Sequence, residues 1–376
     1  MKVGILTLKF HSNFGYLMQS YAMQKIVRDL GHEPYHFYIK EEPESLSNRI
    51  IVFFKKIIKN TFMGFHYTLF SYHPSREDME FKDKNTWNFI HKYINLTPYI
   101  PTLTTKTSYN IPIYDAYIVG SDQVWRREFT DDIRCYFFNF IPEKAKRMSY
   151  AASFGTTTLS YSNNVLQTCK KLLAKFDIVT VREDDGVRIC NDLFGCKATK
   201  VLDPTLLLSS NDYLSLIEDP ATPFCNEPYI FTYILRPNSE KSSFIKKFTK
   251  DMGLKVINIM PAILEKVGRK RLSECVYPSI STWLKGFSQA DYIITDSYHA
   301  SVFSIIFNKQ FYVINDSFGG VTRIHSLLAS FGLLNRYADC YDGNVQMIDY
   351  TLINKKKADY IKQSLGIFQT FFKHEA

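Results

Sequence analysis

Tyr292-Ile293-Ile294-Thr295-Asp296-Ser297-Tyr298-His299-Ala300 is the stretch whose reading decides the fold. An apolar run of this kind, too short for a helix, fits a strand buried on both faces. Asp296 and Ser297 follow, and both residue types cap helices well. Ala300 and Ser301 then open a helix expected over Tyr298–Phe307, with a further strand at Gln310–Ile314. A strand that runs through a short turn into a helix and on to another strand is the repeating unit of a parallel α/β sheet.

The same alternation extends upstream. Strands are expected at Tyr229–Leu235, Leu254–Ile259 and Asp291–Thr295, separated by helices at Lys241–Met252 and Ser281–Ser288. The N-terminal part repeats the pattern, with strands at Val3–Leu8, Tyr35–Ile39, Ala116–Gly120, Arg147–Ser153 and Asp177–Val181, and Lys200–Leu202 leads into Asp203-Pro204-Thr205. Helices are expected at Leu17–Leu30, where Gly31 supplies the C-cap, and at Asn164–Lys175. The polar stretch after Leu208, with Pro220, Pro223 and Pro228, marks a boundary. The expected architecture is therefore α/β, with two Rossmann-like domains, 1–220 and 221–376, facing a central cleft. Ligands of such sheets bind beyond the carboxyl ends of the strands.

Residues 40–110 break the pattern and read as a helical insertion. Arg49–Phe65 mixes Ile50, Ile51, Phe53, Phe54, Ile57 and Ile58 with Lys55, Lys56 and Lys59. It reads either as a core-facing helix with a solvated basic edge or as an interfacial helix that touches anionic lipid. A second helix is expected over Arg76–Tyr93.

A net charge of +9 favours anionic partners. The Lys and Arg residues are scattered, whereas a nucleic-acid protein clusters them on a motif, so no nucleic acid is expected. Seven cysteines without a CxxC suggest reduced thiols in a cytoplasmic protein, with neither a disulfide framework nor a metal site. The apolar start, Met1–Thr7, is too short for a signal peptide.

The chemistry concentrates at strand ends. The free N–H groups and dipole of the helix after Ser297 favour an anion. His299, in the first turn, is suited to hold that anion or donate a proton. Without a ligand the same turn is a capping turn with a buried histidine. Arg182 directly follows an apolar strand, and its planar fork suits a carboxylate or phosphate, unless it simply pairs with Glu183 or Asp184. Arg323, after the turn at Gly319-Gly320, and Arg236 occupy similar strand-end positions. In the first half, Asn13 and Gly15 lie on the first strand-helix turn, which is neither a GxGxxG nor a Walker sequence. Gly120-Ser121-Asp122 is another such turn. Asp122 suits a general base, a sugar ligand or a helix N-cap.

Taken together, the motifs resemble the polysaccharide pyruvyl transferase family. They are Gly4-Ile5-Leu6-Thr7 with Asn13, Gly15, Gln19 and Tyr21-Ala22, then Tyr114 to Trp125, Ser149 to Gly155, Val181-Arg182-Glu183, Leu202-Asp203-Pro204-Thr205, Thr295 to His299, and Arg323 to Leu328. The resemblance implies a GT-B-like transferase, without metal or cofactor, that moves pyruvate from phosphoenolpyruvate onto a sugar as a ketal. It puts Arg182 and His299 at the donor with Ser297, Tyr298 and Ala300, and Arg323 and Arg236 beside them. His299, Arg182 and Asp122 become the catalytic candidates, and Asn13, Gly15, Ser121 and Asp122 the acceptor side. It also implies a polyprenyl-diphosphate-linked sugar as acceptor, a role in bacterial capsular or exopolysaccharide biosynthesis, and a place on the inner face of the plasma membrane. Phe14-Gly15-Tyr16 departs from the smaller residues usual in the family at that turn. The alternatives are a nucleotide-sugar-dependent glycosyltransferase of the same architecture and a non-catalytic sugar- or phosphate-binding homologue.

Overall fold

The computed structural model describes residues 1–40, 50, 54, 55, 72–104, 111–314 and 321–373. Twelve strands form two sheets among these residues. The first contains β1 (Lys2–Leu6), β2 (Glu33–Tyr38), β3 (Leu96–Tyr99), β4 (Ala116–Val119), β5 (Lys146–Ala152), β6 (Ile178–Val181) and β7 (Thr199–Lys200), in the order β3-β2-β1-β4-β5-β6-β7. The second contains β8 (Tyr229–Tyr233), β9 (Lys255–Asn258), β10 (Tyr292–Thr295), β11 (Gln310–Ile314) and β12 (Tyr337–Ala338), in the order β12-β11-β10-β8-β9. Every strand pair is parallel. The expected α/β class with two Rossmann-like sheets is what the chain adopts. The strand order reverses between β1 and β4 in one sheet and between β8 and β10 in the other. Crevices at the carboxyl ends of strands open at such points.

The central strands are fully covered, which explains why β4 is an uninterrupted apolar or aromatic run and β8 is broken only by Thr232. One apolar core runs from Val3 in β1 through to Phe372, so the two halves share it. The seam is aromatic. Phe14 stacks on Trp283 with ring centroids 5.4 Å apart, and Tyr213 meets Phe303 edge-on at 4.8 Å.

Three features differ from the sequence reading. The helix Arg76–Tyr93 is two helices, Arg76–Lys82 and Lys84–Tyr93. Asp83 leaves helical geometry between them and accepts a hydrogen bond from Ser12 Oγ at 2.5 Å. The region 40–110 is not purely helical, because it also supplies β3 at the sheet edge. Finally, the C-terminal helix Tyr350–Phe372 crosses back to the first half. Phe368 lies 4.3 Å from the Tyr150 ring, and Phe372 lies 4.1 Å from that of His32. The basic segment Arg49–Phe65, apart from Ile50, Phe54 and Lys55, lies outside the described residues, as does the Gly319-Gly320 turn. No helix among the described residues is long and apolar enough to cross a membrane.

Candidate active site

Both reversal points feed one cleft of about 800 Å³. Leu8, Lys9, His11 and Asn13 come from the turn after β1, and Asp122 and Gln123 from the turn after β4. Leu235 and Arg236 follow β8, Ser297, Tyr298 and His299 follow β10, and Arg323 enters from the helix Val321–Phe331.

Two helix N-termini meet at its floor. Asn13 caps the helix Phe14–Asp29 by accepting the Tyr16 N–H at 3.1 Å. Ser297 caps the helix Tyr298–Ile306 by accepting the Ala300 N–H at 3.4 Å. The helices touch where Gly15 packs against the His299 ring; a β-carbon at Gly15 would stand 2.3 Å from His299 Cγ. Glycine is therefore required there by close approach. The partial positive charges of both helix ends are directed at one small volume. Asp296 does not cap. Its carboxylate takes the backbone N–H of Leu235 at 2.7 Å and of Arg236 at 3.0 Å, plus Lys241 Nζ at 2.7 Å, which fixes the neighbouring strand-end loop.

Beneath the cleft lies a buried charge cluster. Arg182 Nη2 donates to Asp122 Oδ1 and Nη1 to Asp203 Oδ2, both at 2.9 Å, while Nε is 3.8 Å from Glu183. Asp203 also accepts Ser121 Oγ at 2.8 Å and, through Oδ1, Thr205 Oγ1 at 2.7 Å. His299 Nε2 stands 3.7 Å from the same carboxylate, an ion-pair distance, and has no hydrogen-bond partner among the described residues. Tyr298 lies between two cations, with its ring centroid 4.5 Å from the Arg182 guanidinium carbon and 5.8 Å from that of Arg323.

Burial opposes every charge here, and the partners decide the outcome. For Asp203, burial is outweighed by His299 and Arg182, which hold its carboxyl far below the usual range. For Asp122, burial is outweighed by Arg182, His299 and Arg323. Burial also disfavours charged Arg182, but Asp122 and Asp203 reverse that and hold its proton more firmly than usual. Glu183 goes the other way: burial raises its pKa and Arg182 offsets only part. Burial and the adjacent Arg182 push Arg323 down to about 10, still charged at neutral pH. Asp122 is also held at φ 71°, a left-handed conformation that costs a non-glycine residue about 1–3 kcal/mol.

Of the residues singled out in the sequence, Asn13, Asp122, Arg236, Ser297, Tyr298, His299 and Arg323 line the cleft. Gly15, Ser121, Arg182 and Ala300 do not. Arg182 lies a layer below, its side chain fully enclosed and committed to carboxylates. Ser121 is fully buried, with its hydroxyl on Asp203. Asp122 precedes no helix and so caps none; firmly ionised and paired, it is a weak general base. The sequence offered Glu183 only as a pairing partner for Arg182, and gave no role to Asp203 or to the cleft-lining Lys9, His11, Lys40 and Arg126. Asp203 carried a usable signal, because an Asp before Pro204 is a typical cap, and it does cap the turn Pro204–Leu207.

A family model described as polysaccharide pyruvyl transferase matches residues 13–317. No curated protein matches the chain. Solved structures of similar shape include UDP-GlcNAc 2-epimerase from Neisseria meningitidis bound to UDP-GlcNAc. It is 11% identical, with a TM-score of 0.45, covering 97% of this chain and 100% of that one. A glycosyltransferase from Rickettsia africae is 11% identical, with a TM-score of 0.44, covering 100% of this chain and 99% of that one.

Proposed function

This chain belongs to the polysaccharide pyruvyl transferase family, and from that premise we propose that it transfers pyruvate from phosphoenolpyruvate to two hydroxyls of one sugar, forming a ketal. The observation that carries the reading is His299. Its buried Nε2, 3.7 Å from Asp203, has no hydrogen-bond partner among the described residues, and it stands at a helix N-terminus in a cleft shared with Arg323 and a second helix N-terminus. A ligand with a carboxylate and a phosphate on one small carbon skeleton matches those groups.

In the proposed reaction the methylene carbon of the donor gains a proton and one sugar hydroxyl attacks the central carbon. Phosphate leaves, and a second hydroxyl of the same sugar closes the ketal. The two hydroxyl protons end on the new methyl group and on the released phosphate. His299 serves as the proton donor, with the Asp203 carboxylate 3.7 Å from its Nε2. Arg323 and the two helix ends neutralise the donor's charge as phosphate departs. Arg182 acts indirectly, by keeping Asp122 and Asp203 ionised and in place. Asp122 then orients Arg323, from which its Oδ1 is 3.9 Å. The scheme uses no metal and no cofactor.

The cleft of about 800 Å³ exceeds what a three-carbon donor fills, leaving room for an acceptor along Lys9, His11, Lys40 and Arg126. We assign that acceptor to a polyprenyl-diphosphate-linked sugar of a capsular or exopolysaccharide pathway, handled at the cytoplasmic face of the membrane. The sequence of the basic segment Arg49–Phe65 is compatible with contact to anionic lipid. The test is to incubate the full chain with phosphoenolpyruvate or nucleotide sugars and a panel of lipid-linked sugars. Phosphate release with a pyruvyl mass gain on the sugar is expected; nucleoside diphosphate release would overturn the reading. Flotation with anionic vesicles, lost on charge reversal of Lys55, Lys56 and Lys59, tests the membrane contact.

A further inference from the structure

A second cavity, of about 320 Å³, lies between the helix Ser239–Met252 and residues 335–346, and shares no lining residue with the cleft. It sits on the opposite face of the second sheet. Its Phe244 and Tyr312 belong to a separate apolar cluster with Phe248 and Ile294, whereas Ile293 and Val313 of the same strands face the main core. Its walls are aromatic, with Phe244 5.7 Å from the Tyr341 ring and 5.9 Å from that of Tyr312. Asn335, Asn344 and Gln346 line it as well, and among the described residues Asp342 is the one carboxylate in its lining.

Arg336 lines this cavity while only 3% exposed. Its guanidinium carbon lies 5.5 Å from the centroid of the Tyr312 ring, and its Nε has no hydrogen-bond partner among the described residues. The other most deeply buried arginines are compensated. Arg182 pairs with Asp122 and Asp203, and Arg147 donates to the carbonyls of Pro142, Glu143 and Ala145. Among the described residues no carboxylate forms an ion pair with Arg336; burial disfavours its charge, and the tyrosines 312, 350 and 292 offset part of that. A buried guanidinium with no ion-pair partner among the described residues is unfavourable, so the position suits a bound anion. The aromatic walls and amide rim specify more: a flat body for the rings and oxygens for the amides.

The geometry points to a second ligand site, separate from the cleft, in which Arg336 binds the phosphate or carboxylate of a small ring compound lying against Phe244, Tyr312 and Tyr341. The test is calorimetric titration of the full chain with phenyl phosphate, benzoate and inorganic phosphate. At least one ring anion should bind, more tightly than inorganic phosphate, and equally well to His299→Ala, because the cleft is not involved. Arg336→Gln should weaken binding at least about tenfold. If that variant misfolds, two substitutions of exposed lining residues carry the test: Gln346→Glu should weaken binding and Asp342→Asn should tighten it. No binding of either ring anion, binding lost in His299→Ala, or binding indifferent to the Arg336, Gln346 and Asp342 changes would overturn the inference.

Discussion

The bare α-carbon of Gly15 lies against the imidazole of His299, so closely that a β-carbon would stand 2.3 Å from Cγ and 2.4 Å from Nδ1. The contact joins the first helix of the first half to the candidate acid of the second, and it fixes the ring's position from below.

Gly15→Ala follows directly. In an ordinary helix the change would stabilise by roughly 0.5–1 kcal/mol. Here the ring must move, so we expect about 1–3 kcal/mol of destabilisation and a larger proportional loss of turnover than of folded protein. Urea unfolding with initial rates checks this; an alanine variant of parental stability and activity would show that the contact yields freely.

His299→Ala should lower turnover by at least about 10²-fold if the imidazole moves a proton. Phosphoenolpyruvate binding, followed by calorimetry, should fall far less. Near-parental turnover removes His299 from that role.

Arg182→Met should destabilise the fold by about 3–5 kcal/mol, because Asp122 and Asp203 would be left buried without their partner. Chemical denaturation measures this. A stable variant whose sole defect is a higher KM for the donor would return Arg182 to direct donor contact.

Two neighbouring carboxylates should show opposite pH dependence. Asp203 has a depressed pKa when folded, so its contribution to stability is present above the unfolded value of about 3.9 and is lost as pH falls below it. Asp203→Asn should therefore destabilise at pH 7, with the gap closing in acid. Glu183 has a raised pKa when folded, so its favourable term is present below the unfolded value of about 4.3 and is lost as pH rises through the folded one. Glu183→Gln, which keeps an oxygen for the Phe154 N–H that Oε1 accepts at 3.0 Å, should match or exceed parental stability at pH 7. Thermal melts from pH 2 to 8 decide both; a Gln variant markedly less stable at pH 7 would mean that the Arg182 pair outweighs burial.

The alternation of strand and helix was legible along the chain because buried strands, caps and turns write local patterns. Tyr292 to Ala300 alone identified a strand, a capped helix and a turn that lines the cleft, and most of the residues singled out at strand ends do line it. Burial depth, however, depends on which strands become neighbours. Arg182 sits at a strand end as expected, yet β6 lies inside a seven-stranded sheet, so its guanidinium meets Asp122 and Asp203 from other turns instead of the cleft. The return of the helix Tyr350–Phe372 to the first half, the break at Asp83 and the packing of Gly15 on His299 likewise come from contacts between segments far apart in the chain. Local sequence set the elements and their polarity. Only the assembled fold decided which charges meet and which are left facing the cleft, because that balance between burial and pairing exists nowhere until the segments come together.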